Sequence, residues 1–172
     1  MRNNKGQSGL QVLMFISMIF FVVVFIGVFI LNAQKGARDA ERMTALQNTQ
    51  KALDLYYDAT SHWPEGYDDG YGWDEGFHSP QDKKFIQPLV DKNFLLFPPG
   101  DPQFYGAKAF KYKVYDAGYA GCPTERGKFY VLGITELESD TRPPQKYTGS
   151  GFACSGRDWQ KEFDYVVGKF EK

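Results

Sequence analysis

The sequence predicts an α+β chain in which one long N-terminal helix, apolar in its first half and amphipathic in its second, packs on a small antiparallel sheet. Three observations predict it. Residues 10–31, LQVLMFISMIFFVVVFIGVFIL, carry no charge and are apolar on every side. Residues 32–59 contain no proline and repeat their apolar residues at helical steps. From residue 109 onward the apolar period drops to two, in segments separated by Gly- and Pro-rich turns.

The apolar run comes first. Its length of about 22 residues, at 1.5 Å per residue, matches a hydrocarbon core of roughly 30 Å. A helix apolar all round cannot lie half in water, so it belongs in a bilayer or in a sheath of similar helices. The preceding MRNNKGQSG carries Arg2 and Lys5 and no acid, which favours a cytoplasmic N-terminus with the C-terminal domain outside. The rival reading is a cleaved secretory signal. Such a signal has an apolar region of about 7–15 residues ending at small residues, whereas this run is longer and ends at Asn32-Ala33-Gln34.

Nothing stops the helix at residue 31, and propensity permits one rod over residues 10–59, roughly 75 Å long. In its second half Ala40, Met43, Leu46, Leu53 and Tyr57 form a stripe expected to face a domain. Arg38, Glu41, Arg42, Asn48, Lys51, Asp54 and Asp58 fall on the remainder, expected in water, with Arg38 near Glu41 and Asp39 near Arg42 at helical pair spacing. His62-Trp63-Pro64 ends the helix, because proline cannot continue it and pushes its predecessor out of the α region.

Residues 65–76, EGYDDGYGWDEG, mix glycines, acids and aromatics. Asp68, Asp69 and Asp74 are candidate Ca²⁺ ligands, but their spacing does not match an EF-hand loop, and the plainer reading is a solvated, turn-rich loop. No other cofactor is expected. Residues 85–97 read as a short helix or turn, and PPGDP at residues 98–102 as an irregular connection. Phe110, Tyr112 and Val114 alternate with Lys111 and Lys113 as a half-buried strand. KFYVLGITEL, residues 128–137, is a second and more central strand; residues 141–156 read as loop, and EFDYVVGKF, residues 162–170, as a third strand.

Cys122 and Cys154 are the chain's two cysteines, and an even count beyond a membrane segment favours a disulfide formed outside the cytosol over two free buried thiols. The net charge of -1 gives no electrostatic footprint for nucleic acid. Enzymatic activity is not expected. The histidines are His62 and His78, and no GxSxG, HExxH or GxxxxGK[ST] occurs.

ARDAERMTALQNTQKALDLYYDATSHWP, followed in order by PLVDKNFLLFPPGDP, FKYKVY and FYVLGITELE, resembles the type IV pilin and type II secretion pseudopilin family, and within it the G-type major pseudopilins. The resemblance covers most of the chain. It implies a basic leader at residues 1–6, a membrane or filament-core helix half at residues 7–35, and a pilin-like domain at residues 36–172. Lys5-Gly6 fits the family's cleavage site, which makes Gln7 the first mature residue and a candidate for N-methylation. Ser8 stands where Thr is usual, and Gln11 stands where the family has a Glu that neutralises a neighbouring subunit's terminal ammonium. The implied partners are other copies of the chain, other pilins or pseudopilins, a prepilin peptidase, an inner-membrane assembly platform and membrane lipid. The implied function is a structural subunit of a pilus-like or secretion filament. The alternative reading is a non-polymerising, membrane-anchored extracellular binding module that uses the acidic aromatic loop.

Overall fold

The computed structural model describes residues 5–67, 72–76, 85–102, 110–139 and 151–172, with backbone alone for residues 5–8. Helix α1 spans Lys5–Thr60 without a break. It ends where Ser61 takes a φ of 59°, just ahead of His62-Trp63-Pro64, and the Thr60 hydroxyl donates to the Tyr56 carbonyl at 2.7 Å. The predicted helix and its stop are both present.

The chain forms two compact units, Met1–Ala37 and Arg38–Lys172. In the first, the large apolar side chains of residues 10–31 are 46–76 % exposed. This part of α1 is long and apolar enough to cross a membrane, with a most apolar stretch of mean hydropathy 3.1 and none of it buried. Its one hydroxyl in mid-run is satisfied locally, since Ser17 donates to the Met14 carbonyl at 2.9 Å.

In the second unit the rest of α1 packs on an antiparallel sheet ordered β1-β2-β3-β6, from strands β1 (Asp74–Gly76), β2 (Phe110–Tyr115), β3 (Phe129–Ile134) and β6 (Tyr165–Phe170). The short helix α2, Gln87–Asp91, precedes β2, and a two-stranded hairpin pairs β4 (Ala153–Cys154) with β5 (Arg157–Asp158). Period-two side-chain alternation divides the sheet between two cores. Tyr112, Tyr130, Leu132, Ile134, Tyr165 and Val167 meet Met43, Leu46, Leu53 and Tyr56 of α1. On the other face Phe129, Val131, Val166 and Phe170 meet Trp159 and Phe163.

Strand β2 is half-buried as expected: Phe110 and Tyr112 are buried, and the partly exposed lysines of the opposite face are paired, Lys111 with Glu75 at 2.7 Å and Lys113 donating to the Gly72 carbonyl at 2.5 Å. Glycines shape the same face. A Cβ on Gly133 would lie 2.6 Å from the Phe163 ring, and one on Gly168 would lie 2.4 Å from the Phe152 ring. Each strand glycine is therefore a flat seat for an aromatic ring.

Two strands lie where loop was expected. β1 belongs to the acidic aromatic segment and pairs Asp74 with Tyr112, and β4 belongs to the segment read as loop up to residue 156. Strands of two or three residues show too few alternations to carry a period.

Candidate functional site

Two features of α1 distinguish this chain from an ordinary α+β domain: the uncovered apolar half, and an ion cluster where its polar half begins. Arg42 was expected in water. It is fully buried, as is Asp39, while Ala40 of the expected apolar stripe is exposed. Arg42 donates from Nε to Asp101 Oδ2 at 2.7 Å and from Nη2 to Asp101 Oδ1 at 2.9 Å. Its Nη1 meets Asp39 Oδ1 at 2.8 Å, and Nη2 also lies 2.7 Å from Glu138 Oε1. The Asp39–Arg42 pair follows helical spacing as expected, but Arg38 turns to Glu138 instead of Glu41.

Asp39 does more than face Arg42. Its two oxygens accept from the Glu138 amide at 2.9 Å and the Ser139 amide at 2.8 Å. One turn of helix thus fastens the segment after β3 and the PPGDP connection in a single network. Charge inside a low-dielectric interior is tolerated only when paired and hydrogen-bonded, and here the planar guanidinium fork meets three carboxylates. Burial pushes the Asp39 carboxyl up, but the Glu138 and Ser139 amides and the Arg42 guanidinium overcome it and hold the group below the usual carboxylate range. Burial lowers the Arg42 pKa as well, and the bonds to Asp101, Glu138 and Asp39 more than reverse it.

A pH dependence follows. A depressed carboxyl stabilises the fold above its unfolded pKa of about 3.9, and that stabilisation is lost as pH falls through the folded value. Urea midpoints are expected to fall progressively below about pH 4. Asp39→Asn should lower the midpoint at pH 7 and flatten that acid limb, which denaturation at a series of pH values measures.

Lys5, Gly6 and Gln7 lie in the first turn of α1, and Gln11 is exposed on the same helix. Among the candidate Ca²⁺ ligands, Asp68 and Asp69 lie outside the described residues. Asp74 is buried, and its Oδ2 accepts from the Tyr67 amide at 3.0 Å and the Ile86 amide at 2.8 Å, tying the acidic segment and the entry of α2 to the sheet. Among the described residues, no group of three or more His, Cys, Asp or Glu side chains is placed to hold a metal ion. Beside Asp74 a half-open cleft of about 160 Å³ is lined by Glu65, Gly66, Trp73, Tyr112 and Lys113. Pockets that enclose a small molecule run to roughly 300–1,000 Å³, so this cleft is too small to be one. The Tyr112 phenol beside it is pushed well up by burial and donates to the Pro64 carbonyl at 2.8 Å.

Cys122 and Cys154 form a disulfide with Cα atoms 5.0 Å apart across 32 positions of sequence. It joins the turn after β2 to β4.

Sequence reasoning paired Asp39 with Arg42 but missed Asp101 and Glu138. The signal was faint: acids in PPGDP and ELES, far from helix α1 in sequence. Comparison with protein families, with curated proteins and with solved structures finds no match for this chain.

Proposed function

We propose that this protein is a structural subunit that assembles with copies of itself, through the apolar half of α1, into a pilus-like or secretion filament. The observation that carries the reading is a helix whose apolar side chains are uncovered on every side and which continues unbroken into a folded domain. Such a helix can exchange lipid for neighbouring helices at little solvation cost, since lipid tails and Leu are about equally apolar. The ion cluster at residues 38–42 supports the same reading. It fixes residues 38–42 of α1 to the segments that carry Asp101, Glu138 and Ser139.

In this role Lys5 and Gly6 form the processing site of a prepilin peptidase, Gln7 becomes the first mature residue, and an assembly platform with a separate ATPase supplies the energy. The N-terminus starts on the cytoplasmic side, and the domain reaches the periplasm or cell surface. Gln11 accepts a hydrogen bond but cannot neutralise a neighbour's ammonium in an apolar core, where an unpaired charge is costly.

Negative-stain microscopy of the full chain, expressed with a peptidase and platform, tests the reading together with the mass of the mature N-terminus. Filaments and cleavage after Gly6 are expected. Single particles retaining Met1 under every condition would overturn the reading in favour of a permanently anchored module. Gln11→Glu is expected to raise filament yield several-fold, and an unchanged or lower yield removes the charge-pairing role given to that position.

A further inference from the structure

Residues 94–101 form a strap held at three points. Phe94 packs edge-on against Tyr56 of α1 with ring centroids 5.7 Å apart. Pro99 places its carbonyl 3.4 Å from the position a Gly76 Cβ would take, at the end of β1. Asp101 is buried against Arg42, roughly 21 Å back along α1 from Tyr56. Pro98 and Pro99 have fixed φ and lack amide donors, which stiffens the segment where it passes the end of β1.

Midway along this strap, Leu96 is 83 % and Phe97 is 79 % exposed, the most exposed of the domain's large apolar side chains among the described residues. Their neighbours Phe94 and Leu95 pack against the core. The fold therefore spends a pinned, proline-stiffened segment on holding two apolar side chains in water, and we propose that Leu96 and Phe97 dock on a second copy of this chain in the assembled filament.

Four observations choose that occupant. The pair offers an area of the order of 300 Å², well short of the roughly 800 Å² per partner of a stable free-standing interface, so it adds to a contact made elsewhere. The uncovered half of α1 is such a contact, and every copy carries one. The chain's 20 basic and 21 acidic residues nearly cancel, so copies meet without net repulsion. Residues 93–100 contain no basic side chain to favour an anionic lipid surface.

The inference rests on the filament reading, and its test separates the two. Full-length wild type and Leu96→Ser/Phe97→Ser are compared in the same assembly system, with thermal unfolding and disulfide content as controls; these exposed positions leave the fold intact. The variant is expected to need at least about tenfold more protein to assemble, the least that losing even one of the two apolar contacts would cause. Gly100→Cys, beside the pair and with open space around its side chain, treated with a thiol-to-amine cross-linker should give a ladder of joined copies from filaments. Equal assembly by wild type and the double variant overturns the docking role and leaves the filament reading standing. Protection of a Gly100→Cys thiol from labelling by phosphatidylcholine vesicles before any polymer forms, with assembly by the double variant unchanged, overturns it in favour of a lipid contact. Absence of polymer from wild type overturns both.

Discussion

Arg42→Ala is expected to destabilise the domain by about 3–5 kcal/mol, the usual cost of removing one partner from a buried ion cluster. The size follows from what is left behind. Asp39, Asp101 and Glu138 would face one another with their common cation gone and little water to replace it. Arg42→Lys should rescue little of the loss, because an ammonium is a compact charge and cannot present the fork that meets Asp101 twice while reaching Asp39 and Glu138. Lys51→Ala, on the exposed face of the same helix, should stay within about 0.5 kcal/mol of wild type. Urea unfolding of the three variants measures all of this. A cost near that of Lys51→Ala would show that the cluster contributes no more than a surface pair.

The contrast between Arg42 and the apolar run marks how far the residues alone could be read. Residues 10–31 are legible because every side chain says the same thing, and no tertiary contact is needed to interpret them. Strands β2, β3 and β6 are legible within six residues each: β2 and β6 by their alternation, and β3 as a continuous apolar run, buried at every position, of the kind a central strand carries. Arg42 is different, since a basic residue on an amphipathic helix defaults to water unless acids from elsewhere meet it. Those acids, Asp101 and Glu138, arrive from segments about 60 and 100 positions away, and no local period announces such a meeting. Leu96 and Phe97, at the end of the segment read as a short helix or turn, carry no local period that decides burial. Their exposure is decided by where Tyr56, Gly76 and Arg42 pin the chain on either side.

Replacing both cysteines, Cys122→Ser with Cys154→Ser, is expected to cost about 3–4 kcal/mol, since the bond closes a loop of 32 positions whose freedom returns to the unfolded chain when it is cut. A native contribution adds to this. Cys122 is buried in the core that holds Tyr115, Phe129 and Trp159, and a serine hydroxyl there would need a partner the apolar neighbours do not supply. The effect should be local before it is global. β4 and β5 form a hairpin of two residues a side, too short to hold itself, and Cys154 is one of its four paired residues. Hydrogen exchange should therefore speed first at Ala153–Cys154 and Arg157–Asp158, while β3 amides, in the middle of the sheet, remain protected until the whole domain unfolds. Adding reductant to wild type should reproduce the same order, and intact mass without reductant should lie about 2 Da below the dithiol. Uniform acceleration across β3 and β4 together would instead mean that the staple secures the entire sheet, with the hairpin no more dependent on it than the core.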